Sequence, residues 1–140
     1  MLIYNVYKYF DFLITDFGFS RIKDYSYSRE EHTDYVKKNL IIKVIYDGDF
    51  WVELLKSNKN LPELQDGAKR TVDFEYNNFK RFDLKSLDPQ NKIYNSVSSE
   101  NFPEKKLWYY SKLLKENSEI LEGDMSKFSF KYRLLAFLGF

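Results

Sequence analysis

The most constraining feature of this sequence is a pair of apolar, β-branched runs at residues 40–46 and 49–56, separated by an Asp-Gly step. Asp-Gly between two such runs is typical of a tight hairpin turn. A two-residue loop would mix apolar and charged side chains on each face, because directly opposed residues share a face. A three-residue loop, Tyr46-Asp47-Gly48, avoids this mixture and places Gly48 at a left-handed position. It collects six apolar side chains on one face: Leu40, Ile42, Val44, Phe50, Val52 and Leu54.

The second face of this hairpin carries a mixture of side chains. Four large apolar residues, Ile41, Ile45, Trp51 and Leu55, share it with the charged pair Lys43 and Glu53. A strand that is apolar on both faces is typical of the centre of a sheet. We therefore predict that the hairpin is central and that its second face is covered in part.

The remaining pattern predicts an α+β fold in a single domain spanning residues 1–140. Apolar residues at helical spacing from Ile3 to Phe17, followed by Gly18, indicate an N-terminal helix. Period-two stretches at 19–28 and 32–38 extend the hairpin into an antiparallel meander of about four to five strands. Two C-terminal helices are expected to pack on the sheet, one starting near Pro103 and running to Leu121 before Gly123. The other is capped by Asp124 or Ser126 and carries Phe130, Leu134, Phe137 and Leu138.

The segment 57–101 is polar and gives weaker signals. Asn60-Leu61-Pro62-Glu63-Leu64 predicts a short helix with proline at its first position. Residues 71–76 alternate as a strand does, and this alternation would place Asp73 and Glu75 on one face.

Composition excludes several functional classes. The chain carries 22 Lys and Arg against 21 Asp and Glu, which lacks the bulk positive charge of nucleic-acid-binding proteins. It contains no Cys, so disulfides, thiolate metal sites and cysteine nucleophiles are excluded. The apolar start lacks a basic leader and a cleavage site, and no apolar run is long enough for a membrane span, so a cytoplasmic location is expected.

No catalytic, metal or cofactor constellation is recognisable, so the sequence predicts a protein that is not an enzyme and needs no cofactor. His32 is the only histidine, and with Asp34 it lies near a charged turn. Two such residues are expected to be ordinary solvent-facing groups rather than part of a triad. The five glycines are too far apart for a phosphate-binding loop, and Asp73 with Glu75 shows no sign of the environments that separate catalytic carboxylates.

The order of the segments resembles small bacterial α+β immunity proteins, which are found beside polymorphic toxins. The segments that carry the likeness are Phe12–Phe19, Val44–Asp47, Phe50–Glu53, Leu113–Asn117 and Ile120–Asp124. The resemblance implies a cytoplasmic inhibitor that binds one cognate toxin domain and blocks it. Because such families share a scaffold and vary their binding surfaces, it implies no particular site residues.

Candidate contact residues must therefore come from the residue pattern. Exposed tyrosines and acids on the early strands and the hairpin tip suit a protein interface, since tyrosine is enriched at binding hot spots. The candidates are Tyr25, Tyr27, Tyr35, Asp47 and Asp49. Two alternatives stay open: a structural or small-ligand-binding domain with an aromatic-lined pocket between the sheet and the C-terminal helices, and an enzyme whose acids or His32 converge in a cleft.

Overall fold

The structure is a computed structural model that describes residues 2–58, 60–65, 70–73, 79–97 and 102–128. The fold is α+β, as predicted: helices at the start of the chain and after the sheet pack on one antiparallel sheet. None of the described helices is long and apolar enough to cross a membrane.

The N-terminal helical segment is confirmed, with one interruption. Helix α1 spans Leu2–Phe10 and helix α2 spans Phe12–Phe17, separated by Asp11. Gly18 ends α2 in the left-handed conformation (φ 75°), where glycine carries no steric cost.

The described strands are β1 Ser20–Arg21, β2 Tyr25–Tyr27, β3 Glu30–Lys37, β4 Leu40–Tyr46, β5 Phe50–Ser57 and β6 Phe79–Phe82. Within the described residues these six strands form one antiparallel sheet. β3 to β5 form its centre, β6 pairs with β5, and both β1 and β2 pair with β3.

A bulge divides the first predicted strand into β1 and β2. Arg21 pairs with Tyr35 and Tyr25 pairs with His32, so the three residues 22–24 oppose only the two residues 33–34. An extra residue in one strand reverses the alternation of side chains beyond it. The bulge therefore places Tyr25 on the face opposite to Arg21.

The β4–β5 hairpin confirms the predicted three-residue loop and the predicted grouping of side chains. Gly48 is left-handed (φ 75°), as predicted, but Val44 lies opposite Val52 and not opposite Phe50, the partner that a Tyr46-Asp47-Gly48 loop would give it. The loop itself is Asp47-Gly48-Asp49, one residue later than predicted, because Tyr46 stays in the strand opposite Phe50. The two rings pack with centroids 4.8 Å apart.

One face of the sheet, called the inner face here, packs against α1 and helix α5, which spans Phe102–Glu116. It carries the six apolar residues predicted for one side of the hairpin, all buried. From α5 come the buried residues Leu107, Tyr110, Leu113 and Leu114, as their spacing predicted.

The predicted helix from Pro103 to Leu121 is shorter in the structure. α5 ends at Glu116, and a 3₁₀ turn follows at Ser118–Glu122, before Gly123 (φ 98°). The Asn117 side-chain amide donates to the Leu113 carbonyl (2.8 Å), the kind of local bond that competes with helix continuation. Asp124 caps the next segment by accepting from the Ser126 amide (3.0 Å). The four apolar residues predicted for the last helix lie outside the described residues.

The opposite face, called the outer face, is covered over one half by described residues. The predicted short helix is confirmed as α3, Pro62–Gln65, and buries Leu61 and Leu64 on that half. They pack against Ile22, Val36, Ile41 and Leu55. The predicted partial covering of the second hairpin face is therefore correct.

Segment 70–97 differs from the prediction. Residues Thr71–Asp73 form a 3₁₀ turn rather than a strand, and residues 74–76 lie outside the described part of the chain. Strand β6 was not predicted, because Phe79-Lys80-Arg81-Phe82 does not alternate. It is followed by a 3₁₀ turn at Leu84–Leu87 and by helix α4, Lys92–Ser96.

Candidate functional site

The candidate site is the other half of the outer face, which α3 does not cover. Its side chains come from adjacent positions on β2, β3, β4 and β5, because the register aligns Tyr25 with His32, His32 with Ile45, and Ile45 with Trp51. The neighbouring row aligns Asp34, Lys43 and Glu53. The pleat directs all of these side chains to the same side.

Lys43 is the centre of a buried polar network on this face. Its ammonium donates to the Tyr25 hydroxyl (2.8 Å) and to Nδ1 of His32 (3.1 Å). The same nitrogen lies 3.1 Å from Oδ1 and 3.4 Å from Oδ2 of Asp34. An ammonium carries three donors, so these three neighbours use its full hydrogen-bonding capacity.

The neutral ring of His32 accepts one hydrogen bond of this network and donates another. Because Nδ1 accepts from Lys43, the ring proton lies on Nε2, which donates to Oε1 of Glu30 (3.1 Å). The ring stacks on Tyr25 with centroids 5.0 Å apart and meets the ring of Tyr27 edge-on. The prediction that His32 is solvent-facing is wrong, since only 3% of its surface is exposed.

Asp34 is completely buried, so its predicted solvent-facing position is also wrong. Its Oδ2 accepts from the Tyr25 hydroxyl (2.7 Å) and from the Thr71 hydroxyl (2.9 Å). Thr71 belongs to the 3₁₀ turn at residues 71–73, so the carboxylate links this turn to β2, β3 and β4. The Oδ1 of Asp34 has no hydrogen-bond partner among the described residues, and the Lys43 ammonium 3.1 Å away compensates its buried charge.

Burial shifts the pKa of His32, Lys43 and Tyr25 in the direction that favours their neutral forms. It lowers the pKa of His32, and the neighbouring Lys43 ammonium lowers it further. Burial also lowers the pKa of Lys43, although the Asp34 carboxylate opposes this change. The pKa of Tyr25 is raised, first by burial and then by the same carboxylate, so Tyr25 stays a hydrogen-bond donor.

An open cavity of about 350 Å³ lies above the network. Tyr27 and Trp51 stand on its wall, Ile45 is buried in its floor, and residues 71–72 contribute from the 3₁₀ turn. Glu53 and Arg81 form an ion pair of 3.0 Å at its other side. The site is thus a concave surface with aromatic and charged walls above a floor formed by Ile45 and the polar network.

The cavity does not occupy the predicted position between the sheet and the C-terminal helices. It lies on the outer face, while α5 packs on the inner face, where Ile42, Val44 and Leu54 are buried in the core with it. Among the described residues, no three histidine or acidic side chains are grouped as metal ligands. The arrangement is suited to binding by shape, aromatic contact and charge.

The five predicted contact residues do not share one surface. Tyr27 is half exposed at the cavity and Tyr25 belongs to the network beneath it. The prediction that Tyr35 is exposed is wrong: it is fully buried on the inner face, where its hydroxyl donates to Asp11 (2.9 Å). Asp47 is exposed at the hairpin tip, and Asp49 forms an ion pair with Lys106 of α5.

The acid pair suggested for residues 73 and 75 is not assembled in the described residues. Asp73 forms an ion pair with Arg70 (3.0 Å) in the 3₁₀ turn, and Glu75 lies outside the described part of the chain. Asp73 is therefore engaged locally and does not line the cavity.

Sequence patterns alone did not identify Lys43, Glu30, Trp51 or Thr71 as residues of the site. For Lys43 the sequence did contain a signal. A two-residue turn at 38–39 pairs Lys43 with Asp34, which places opposite charges side by side on two otherwise apolar strands. Thr71 carries no such signal, because its contact spans 37 positions of the chain.

The chain matches no protein-family model, no curated protein and no solved structure at a significant level. The resemblance to immunity proteins therefore stays a prediction, and the functional proposal below depends on the geometry of the outer face.

Proposed function

We propose that this chain is a non-enzymatic binding protein, an immunity-type inhibitor that neutralises a bacterial toxin domain in the cytoplasm by direct contact. The open half of the outer face would form the interface. The observation that carries the proposal is the concave surface walled by Tyr27 and Trp51 above a network whose polar groups bond to one another.

The composition of this surface supports a protein partner. Tyrosine and tryptophan are the residues most enriched at binding hot spots, because they combine a large apolar area with one polar group. Half of the surface of Tyr27 is exposed, and the half-buried Trp51 lines the same cavity. The charged groups Glu30, Glu53 and Arg81 provide the polar surroundings that a typical interface has.

The hydrogen bonds within the network favour a binding role for this surface over a catalytic one. A general base or nucleophile needs a free lone pair or proton within reach of a substrate. Lys43 directs its donors to three neighbours, and His32 uses both ring nitrogens within the protein. These groups hold the floor of the cavity in place and leave the wall residues to make contacts.

A second candidate function, binding of a small ligand, is supported by the same cavity. Its volume of about 350 Å³ lies within the range of small-molecule sites, ~300–1,000 Å³. A small ligand would use the same wall residues, so the two candidates differ in the size of the partner.

Co-expression with the protein encoded immediately upstream tests the proposal, since toxin and immunity genes are expected to be neighbours. We expect a stable complex with nanomolar affinity, measured by calorimetry on the purified proteins. Absence of binding to that protein, combined with protection by a small molecule in a thermal-shift screen, would favour the second candidate.

A matched pair of tryptophan variants tests whether the binding interface lies at the cavity. Trp51→Ala removes the wall of the cavity, whereas Trp108→Ala removes an aromatic that is 42% exposed on α5. We expect the first change to weaken binding by about 2 kcal/mol or more, typical of a hot spot. The second should leave affinity unchanged. Equal effects, in variants whose circular dichroism matches that of the wild type, would contradict the proposed interface.

A further inference from the structure

Among the residues that the structure describes, charge pairing leaves one carboxylate on the cavity wall, that of Glu30, without a paired cation. Asp34 is paired with Lys43 at 3.1 Å, and Glu53 is paired with Arg81 at 3.0 Å. Glu30 also lines the cavity, and among the described side chains its hydrogen-bond partner is His32. It is 28% exposed, so its carboxylate remains accessible from the cavity.

His32 does not neutralise Glu30. The ring accepts a hydrogen bond from the Lys43 ammonium at Nδ1, an arrangement that requires this nitrogen to carry no proton. The ring is therefore uncharged and offers only a neutral N–H to the carboxylate. If the buried Asp34 beneath the floor is counted with the described lining residues Glu30, Glu53, Lys43 and Arg81, the cavity carries one net negative charge.

The aromatic rings on the cavity wall attract cations, as the Glu30 carboxylate does. The faces of tyrosine and tryptophan rings carry negative electrostatic potential and attract ammonium or guanidinium groups. Tyr27 lies beside Glu30 because the two residues are directly paired between β2 and β3. Trp51 contributes the second ring across Ile45. Anionic or purely apolar groups would leave the Glu30 carboxylate desolvated without a counter-ion.

We infer that the cavity receives a basic side chain, an arginine or a lysine, of the bound protein, with Glu30 as its counter-ion and Tyr27 and Trp51 as its aromatic walls. This inference depends on the proposed function for the identity of the donor. The basic side chain would lie above the network without displacing any of its bonds.

The first test uses two isosteric changes at consecutive residues of β3. Glu30→Gln removes the charge while its amide oxygen can still accept from Nε2 of His32, so the fold is preserved. Glu31→Gln makes the same charge change at an exposed residue whose side chain alternates to the other face. We expect Glu30→Gln to weaken the complex about 10- to 100-fold, the range of one hydrogen bond to a charged group. Glu31→Gln should change the affinity less than twofold. Equal affinities for the two variants would overturn the inference while leaving the proposed binding function intact.

The second test needs no partner protein. N-acetyl-L-arginine amide is titrated into the ¹⁵N-labelled chain, with N-acetyl-L-citrulline amide as the neutral isostere. We expect saturable shifts of the Trp51 indole N–H resonance with the arginine probe, and none with the citrulline probe or with Glu30→Gln. Equal responses to both probes, or no response in the wild type, would contradict a cation site. A positive result would support it even if no toxin partner were found, which separates this inference from the proposed function.

Discussion

The two faces of the central sheet are built from the same strands but on different physical principles. The inner face buries apolar side chains such as Phe50 and Leu54 against α1 and α5. The outer face buries an ion pair, a histidine and a threonine beside a cavity. Apolar burial stabilises a fold in proportion to its area, whereas a buried ion pair adds little over an apolar pair of similar shape. The inner face, together with the apolar cluster under α3, thus accounts for most of the stability that apolar burial gives the fold. The open half of the outer face carries polar features that apolar burial does not explain.

The largest expected effect comes from the inner face. Phe10 of α1 is fully buried there, and its ring lies 6.4 Å from the ring of Tyr35. We expect Phe10→Ala to lower the free energy of unfolding by about 3–5 kcal/mol, because truncation loses apolar burial and leaves a cavity. Urea unfolding measures this change. Tyr27→Ala is the control on the outer face and should cost far less. Equal losses would show that the two faces do not differ in this way.

The ion pair gives the next test. Lys43→Met leaves Asp34 buried without its cation, and we expect a loss of about 3–5 kcal/mol. Adding Asp34→Leu removes the unpaired charge, so most of that loss should be recovered in the double variant. The coupling between the two changes comes from a double-mutant cycle in urea. If the double variant were as unstable as the single one, the network would be a net source of stability and the contrast between the faces would fail.

The pH dependence of stability provides a smaller effect. Burial and Lys43 lower the pKa of His32 below its ordinary value of 6.5. Below that pH the unfolded chain binds a proton at His32 that the folded chain resists, so the contribution of this residue to stability decreases as the pH falls through 6.5. His32→Gln, whose amide can donate to Glu30 and accept from Lys43, should reduce the slope of unfolding free energy between pH 7 and 5. An unchanged slope would indicate that His32 is free to protonate in the folded state.

The inner face could be predicted from sequence because it depends on local periodicity. The alternation of apolar residues along β4 and β5 predicted that Val44 and Val52 share one face of the hairpin. Helical spacing identified Leu107 and Leu113 as buried residues of α5. The error at the hairpin loop was one residue, because Tyr46 pairs with Phe50 and keeps the strand geometry. Asn117 ended α5 early through a side-chain bond that apolar spacing does not reveal.

The outer face could be predicted only in part, because it depends on contacts between distant segments. The shared position of Ile45, Trp51, Lys43 and Glu53 was correctly inferred from alternation. The burial of His32 was not, since it requires Tyr25 to reach the same face through the bulge at 22–24. Thr71 and Arg81 come from a segment without clear periodicity, so their positions follow from tertiary packing.

The open half of the outer face is the surface proposed to contact the partner, and the two tryptophans of the chain allow this to be tested directly. The chain contains two tryptophans, Trp51 on that face and Trp108 on α5. Acrylamide quenching of the variant Trp108→Phe reports on Trp51 alone, and that of Trp51→Phe reports on Trp108 alone. Each is measured with and without the proposed partner protein. We expect complex formation to protect Trp51 from the quencher and to leave Trp108 as accessible as before. Protection of Trp108 with no change at Trp51 would contradict the account.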